Sequence, residues 1–332
     1  MPYTFPATGR SRAEILAAFP GKSALVVGDI CLDRWCTYDP AAAEPSRETG
    51  IARIGVIATE TSPGGGGAIA ANLVALGVGR VTVLGAVGQD GFGYELRRKL
   101  DSRRISTELL IQSGELSTFT YTKLINATSG VEDQARVDFI NARPLPDVVE
   151  REVVARLRTA AERFDVIFVS DQAETAQGGT VTPAVRHLLA QIAPGRIIVA
   201  DSRRRASEFR NVILKPNAQE AACASTSLFG CVDYQRLREH IGAPVLFVTQ
   251  GPRGAVVVED GWETQVPTRA IERPVDICGA GDSFAAGAGL ALTVTGSPVE
   301  AAGFGNLVAS ITIMKKGTGT ASPAEVLAVA VE

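Results

Sequence analysis

The most constraining feature of the chain is a series of short apolar runs, each closing on a turn residue or a carboxylate. They are SALVVGD (23–29), RVTVLGAVG (80–88), DVIFVSD (165–171), RIIVADS (196–202), NVILKPN (211–217), PVLFVTQG (244–251) and GAVVVEDG (254–261). Helix-length segments lie between several of them, at 68–77, 91–104, 147–163, 180–193, 218–224 and 232–241, with 281–295 and 298–315 at the end. A strand that is apolar on both faces must be covered on both, so this alternation predicts a mostly parallel sheet between two helical layers. Such sheets bind ligands beyond the C-terminal ends of their strands, where these runs finish in Asp, Asn, Thr and Gly.

Two segments, 35–62 and 115–140, break the rhythm. They are Thr-rich and alternate apolar with polar residues, the pattern of β-hairpins or edge strands outside the main sheet. Together they would make one small sheet over a site; separately they would be ordinary surface hairpins. With no repeat and no low-complexity linker, residues 1–332 read as one domain with these two insertions.

Composition removes several function classes. The formal net charge is -3 and no basic stripe is present, which argues against a nucleic-acid partner. The Arg203-Arg204-Arg205 run reads as a solvated loop. Five cysteines without a CxxC pair suit reduced thiols in a cytoplasmic protein. The two histidines, His187 and His240, stand in no ligand motif, so neither a zinc set nor a histidine-dependent triad is supplied. The leading segment lacks the charged and apolar regions of a signal peptide. The longest apolar run, around 284–294, suits a buried helix and is too short to span a bilayer.

Chemistry concentrates in a few places. In DICGAGDSFAAG (276–287), a helix starting near 281 would present the amides of Gly279, Ala280 and Gly281 to an anion that gains charge during reaction. Asp282 would then stand beside that site and accept a proton from a substrate hydroxyl, or serve as a plain N-cap. PGGGGAIAANLVALG (63–77) offers either close backbone approach to a ligand or tight packing. GAVGQDGFG (85–93) is no dinucleotide fingerprint, because the first strand ends instead in GDICLD with Asp29 and Asp33; a P-loop is also absent. In KPNAQE (215–220), Asn217 and Glu220 are spaced either for Mg²⁺ held through water and phosphates or for a capping box. TQGPRG (249–254) is a strand-end turn able to receive phosphate or ribose.

Taken in order, these segments resemble the PfkB family of carbohydrate kinases with its ribokinase-like fold. The motifs are GD-x-x-x-D, PGG…N…LG, G-x-x-G-x-D, N-x-x-E, T-x-G-x-x-G and D-x-x-G-A-G-D, spread over roughly 23–320. LVVGDICLDRW, STFTYTKLIN…ARVDF, VSDQAE and KKGTGTASPAE look like the heptose-phosphate kinase branch. The resemblance implies a three-layer α/β/α sandwich with a mostly parallel central sheet and a small β-sheet lid. It implies ATP-dependent phosphorylation of a sugar or sugar-phosphate hydroxyl, with Mg²⁺ and a monovalent cation such as K⁺. By motif match Asp282 would be the base, and Gly279, Ala280 and Gly281 the anion hole. Asn217 and Glu220 would organise Mg²⁺, and Asp276 would help hold the monovalent cation. Asn217, Thr249, Gly251, Gly254 and Asn306 would line the nucleotide. Asp33, Gly64, Gly65 and Gly66 would hold the sugar. The lid would also carry a homodimer contact.

The chain departs from the heptose-kinase pattern at several points. Ala68 replaces the expected Asn; SDQAET stands for SDYxKG and puts Glu174 where a Lys is usual; SRETGIAR stands for SPEAPVPV; Cys278 replaces Thr. All but the last lie on the acceptor side. A nucleoside kinase of the same fold and a sensor that has lost catalysis remain alternatives, although a sensor would not need Asp282 or N-x-x-E.

Overall fold

The computed structural model describes residues 9–175 and 177–330; the leading segment 1–8, read above for a signal peptide, lies outside them. The chain forms α1 (Arg12–Ala18), then β1 (Ser23–Gly28), and turns at once into β2 (Ile30–Tyr38). β3 (Val56–Gly65) runs without a break into α2 (Gly66–Ala75). Next come β4 (Arg80–Leu84), β5 (Ala86–Gly88), α3 (Gly91–Ser102), β6 (Ile111–Ser113), β7 (Thr120–Asn126) and β8 (Val137–Phe139). The following stretch holds α4 (Asp147–Ala160), β9 (Val166–Asp171), α5 (Pro183–Ile192), β10 (Ile197–Ser202), β11 (Ile213–Leu214), α6 (Ala218–Phe229) and α7 (Tyr234–Ile241). The last part holds β12 (Leu246–Thr249), β13 (Ala255–Glu259), β14 (Trp262–Val266), α8 (Ala280–Thr295), α9 (Pro298–Thr312) and α10 (Pro323–Ala328).

Eight strands make the main sheet in the order β14-β13-β12-β11-β10-β9-β1-β4, parallel from β12 to β4 and antiparallel in the final hairpin. Successive strand side chains point to opposite faces. Ala24, Val26 and Phe168 therefore pack under α2, α8 and α9, while Leu25, Val27, Ile167 and Val169 pack under α4, α5 and α7. The result is the three-layer sandwich that the apolar runs predict. A four-stranded sheet, β3-β2-β7-β8, stands apart from it. Its strands draw on both Thr-rich segments, but β2 begins at Ile30, so Asp33 belongs to the small sheet and not to a main-sheet strand end.

Three departures have local causes. The run 80–88 splits at Gly85, where a Cβ would stand 2.4 Å from the Gly28 carbonyl oxygen, and β5 leaves to pair with β6. The run 211–217 keeps only Ile213–Leu214 as strand, because Pro216 has no amide to give and Asn217 caps α6. Helices α1 and α10 were not anticipated, although Ser11 with Glu14 and Ser322 with Glu325 form readable capping boxes. No helix among the described residues is long and apolar enough to cross a membrane.

Candidate active site

The N-terminal end of α8 organises the site. Gly279 holds the left-handed conformation at φ 76 that turns the chain into the helix. The Ala280 amide donates to the Ile277 carbonyl at 3.2 Å, so it is not free as the sequence reading supposed. The amides of Gly279, Gly281 and Asp282 are what this positive helix end presents. Asp282, in the first turn, faces a cleft of about 100 Å³ shared with Asp33, Gly65, Tyr121, Lys123, Arg136 and Arg203. Burial pushes the Asp282 carboxyl up to about 8; Asp201 and Asp33 add to the rise, and Lys215 and Arg203 oppose it. A carboxyl so tuned exchanges a proton near neutral pH, which an ordinary N-cap Asp does not.

On one side of Asp282 lies the small sheet. Register aligns Ser62, Asp33, Tyr121 and Asp138 across its four strands, which sets Asp33 in the middle of the row. Burial pushes the Asp33 carboxyl up to about 6, against the pull of Lys123, Arg203 and Arg136. Of the three glycines assigned to the sugar, only Gly65 lines the cleft. Gly64 lies directly behind Asp33, where a Cβ would come 2.5 Å from the carboxylate, and Gly66 backs onto Ile30. Of the two aspartates in GDICLD, Asp33 lines the cleft and Asp29 does not. Asp29 is buried and accepts the backbone amides of Gln172, Ala173 and Thr180, bracing the loop after β9.

On the other side lie the ends of β10, β11 and β12. Asn217 and Glu220 form the capping box of α6, with reciprocal bonds of 2.9 and 2.8 Å. Asn217 also bridges to Thr249, and the 251–254 turn follows, closed by a Gln250 amide bond to the Gly254 carbonyl. Gly251 and Gly254 both have positive φ, and a Cβ on Gly254 would come 2.2 Å from the Val266 carbonyl oxygen. Asn306 is buried and spends its amide on the Val266 and Pro267 carbonyls, so it fixes that segment of backbone. Asp276 accepts the amides of Cys278 and Gly317, one on each oxygen, tying the loop before α8 to the loop after α9.

Sequence reasoning missed the cations. Lys215 is buried, pairs with Asp201 at 3.0 Å, and lies against Gly281, whose Cβ would be 3.4 Å from its Nζ. Its position in KPN, directly after the apolar run of β11, was a usable signal. Lys123 and Arg136 lie in the Thr-rich segment and were read only as pattern. The Arg203–Arg205 run is a solvated loop only in part: Arg203 and Arg204 are exposed, but Arg205 is buried in an ion pair with Asp171, and Arg203 also lines the cleft.

Three comparisons bear on this geometry. A family profile described as "pfkB family carbohydrate kinase" matches residues 23–325. Among curated proteins, the bifunctional protein HldE of Geobacter metallireducens is 31% identical over 317 residues, covering 92% of this chain and 62% of the relative. The chain thus spans less than two thirds of the length of that relative. Among solved structures, phosphofructokinase-2 from Escherichia coli in complex with potassium has a TM-score of 0.69 at 19% identity, covering 92% of this chain and 97% of that one. Arabidopsis thaliana ribokinase complexed with ribose and ATP has a TM-score of 0.66 at 18% identity, with the same coverage. At such identities the structures show the fold alone, and that fold is the ribokinase-like α/β sandwich.

Proposed function

Because the chain belongs to the pfkB family of carbohydrate kinases, we propose that it transfers the γ-phosphoryl group of ATP to a hydroxyl of a sugar or sugar phosphate, with Asp282 as base. The observation that carries this reading is the position of Asp282 in the first turn of α8. It shares a cleft with Asp33 on one side and lies beside Lys215 and the Gly281 amide on the other. Asp33 orients the acceptor by taking hydrogen bonds from its hydroxyls. Asp282 removes the proton of the attacking hydroxyl, whose oxygen bonds to the γ-phosphorus as the bond to the β–γ bridging oxygen breaks and ADP leaves. The Gly279 and Gly281 amides, with the helix dipole behind them, bind the charge that develops on the transferred group.

Thr249, Gly251 and Gly254 form the turn that receives the nucleotide, and Asn306 acts on it through the backbone at 266–267. Asn217 and Glu220, though bonded to each other as the capping box of α6, keep oxygen lone pairs that fit a divalent cation held through water and phosphates. Bound there, Mg²⁺ would neutralise phosphate charge. Asp276 keeps lone pairs for a monovalent cation after accepting its two amides.

The test is ADP release from Mg-ATP over sugars, sugar phosphates and nucleosides, run in potassium and in sodium. Asp282→Asn should lower kcat by roughly 10³-fold and leave ATP binding within about two-fold. Unchanged turnover removes the base assignment. Turnover confined to nucleosides selects a nucleoside kinase, and tight binding of an acceptor without turnover by the wild type selects a sensor. Equal rates in the two salts remove the role of Asp276 with potassium.

A further inference from the structure

Two stretches that look unrelated in the sequence fit each other in the structure. The loop after β9 reads QAET (172–175), where the heptose-kinase pattern has a Lys in place of Glu174. The end of β10 continues into Arg203-Arg204-Arg205, and all three arginines bind that loop. Arg205 takes Asp171 together with the Ala173 and Thr175 carbonyls, and Arg204 takes the Glu174 carbonyl. Arg203 gives its Nε–H to the Gln172 side chain at 2.7 Å and one Nη1–H to the Glu174 carboxylate at 2.6 Å. The Tyr121 ring centroid lies 5.8 Å from the guanidinium carbon of Arg203 and 5.3 Å from that of Arg136.

A guanidinium has five N–H donors in a fixed plane. With two of them held by Gln172 and Glu174, the plane of Arg203 is locked and its remaining donors are left for the cleft that the residue lines. Lys123 and Arg136 line the same cleft, while their carboxylate partners Glu132 and Asp138, and Glu174 itself, do not. The cations thus line the acceptor space together with Asp33 and Asp282, and Asp138 ends the cross-strand row that carries Asp33. Against the heptose-kinase pattern, the Glu for Lys exchange at position 174 takes away one cation and supplies the seat for another, Arg203.

We propose that Arg203, clamped by Gln172 and Glu174, is the acceptor-specificity residue of this chain, and that with Lys123 and Arg136 it selects an acceptor carrying an oxyanion. This rests on the kinase reading and narrows its substrate class to phosphorylated or carboxylated sugars. Asp33 meets the hydroxyl end of such a molecule, and the cations meet its anionic end.

The experiment pairs each anionic probe with its neutral counterpart: hexose, pentose and heptose monophosphates beside the free sugars, and aldonic acids beside the same sugars. Each is assayed for ADP release and titrated calorimetrically into the full-length protein. One anionic class should exceed its neutral partner in kcat/KM by at least about 100-fold, and which class does so separates a phosphate ester from a carboxylate. Arg203→Met should raise the KM for that acceptor roughly 30-fold while the KM for ATP stays within two-fold. Arg203→Lys should recover only part of the loss, since an ammonium cannot reproduce the planar fork. Glu174→Gln, which loosens the clamp and keeps the guanidinium, should cost less than Arg203→Met, and equal melting temperatures establish that each variant is folded. Neutral sugars used as well as anionic ones, or an Arg203→Met loss of equal size for both, overturns the proposal. Should no acceptor be turned over, the kinase reading fails separately, and calorimetry still decides the anion preference through the wild type and Arg203→Met.

Discussion

At the scale of single residues, the site depends on carboxyls held away from their ordinary ionisation. Asp282 titrates at 3.8 when unfolded and near 8 when folded, so the folded protein binds more protons between those values. Stability must then fall as pH rises from about 4 to about 8. Asp282→Asn removes the group that creates this dependence, so its melting temperature should exceed that of the wild type by more at pH 8 than at pH 5. Equal differences at the two values would show that the carboxyl is not raised. Four charged groups act on Asp282: Asp201 and Asp33 push its carboxyl up, and Lys215 and Arg203 draw it down. Lys215→Met deletes the buried cation and leaves Asp201 unpaired, both of which favour the protonated base. The acid limb of kcat/KM should therefore move to higher pH, with activity lowered at least about 10-fold at pH 7 and partly restored at pH 9. The protein should also lose roughly 3–5 kcal/mol of stability through the stranded Asp201. An acid limb that does not move, whatever the stability, rules out tuning of Asp282 by Lys215.

At the scale of elements, α8 connects the core to the chemistry. Its Ala- and Gly-rich run was legible as a buried helix, but the reason for the glycines was not. A Cβ on Gly289 would stand 2.4 Å from the Phe168 ring of β9, and one on Gly305 of α9 would stand 2.9 Å from the Phe284 carbonyl oxygen of α8. These contacts join residues more than a hundred positions apart or on facing helices, and no local pattern records them. Gly289→Ala should force α8 off the sheet at a cost of roughly 1–3 kcal/mol. Because Asp282 sits on the same helix, kcat should fall with stability while the KM for the acceptor changes little. Loss of stability with full kcat would mean that the N-terminal turn of α8 is held independently by its loops. The same limit of local pattern explains the small sheet. Alternation in 35–62 and 115–140 announced strands, yet the start of β2 at Ile30 depends on how β1 turns at Gly28, where a Cβ would come 2.2 Å from the Ser170 carbonyl oxygen.

At the scale of the whole molecule, the layered sandwich was legible because apolar runs of strand length leave few other solutions. The ordered glycine and carboxylate motifs marked the side on which nucleotide and phosphoryl binding is proposed. The opposite side of the cleft was legible only in Asp33 and Gly65, since its cations come from β7, the residue before β8 and the loop after β10, and only the folded chain assembles them. One surface still has to be accounted for. Ile54, Val56 and Ile57 on or beside β3, and Val137, Phe139 and Ile140 on or beside β8, are exposed, at 64% for Ile57 and 47% for Val137. They lie on or beside the two outer strands of the small sheet, with β2 and β7 between them. A second copy of the chain would cover them, the homodimer that the resemblance implies, and would brace the sheet carrying Asp33 and Tyr121. In sedimentation velocity at micromolar concentration the wild type should then run as a dimer, and Ile57→Lys with Val137→Lys as a monomer. Trp262→Lys is the control, because Trp262 is 76% exposed but sits in the β13–β14 hairpin of the main sheet. The monomeric variant should show a raised KM for the acceptor and an unchanged KM for ATP, since only the acceptor side is built on the small sheet. A wild type that sediments as a monomer, or a dimer that survives both lysines, would show that the small sheet closes over its substrate without a partner.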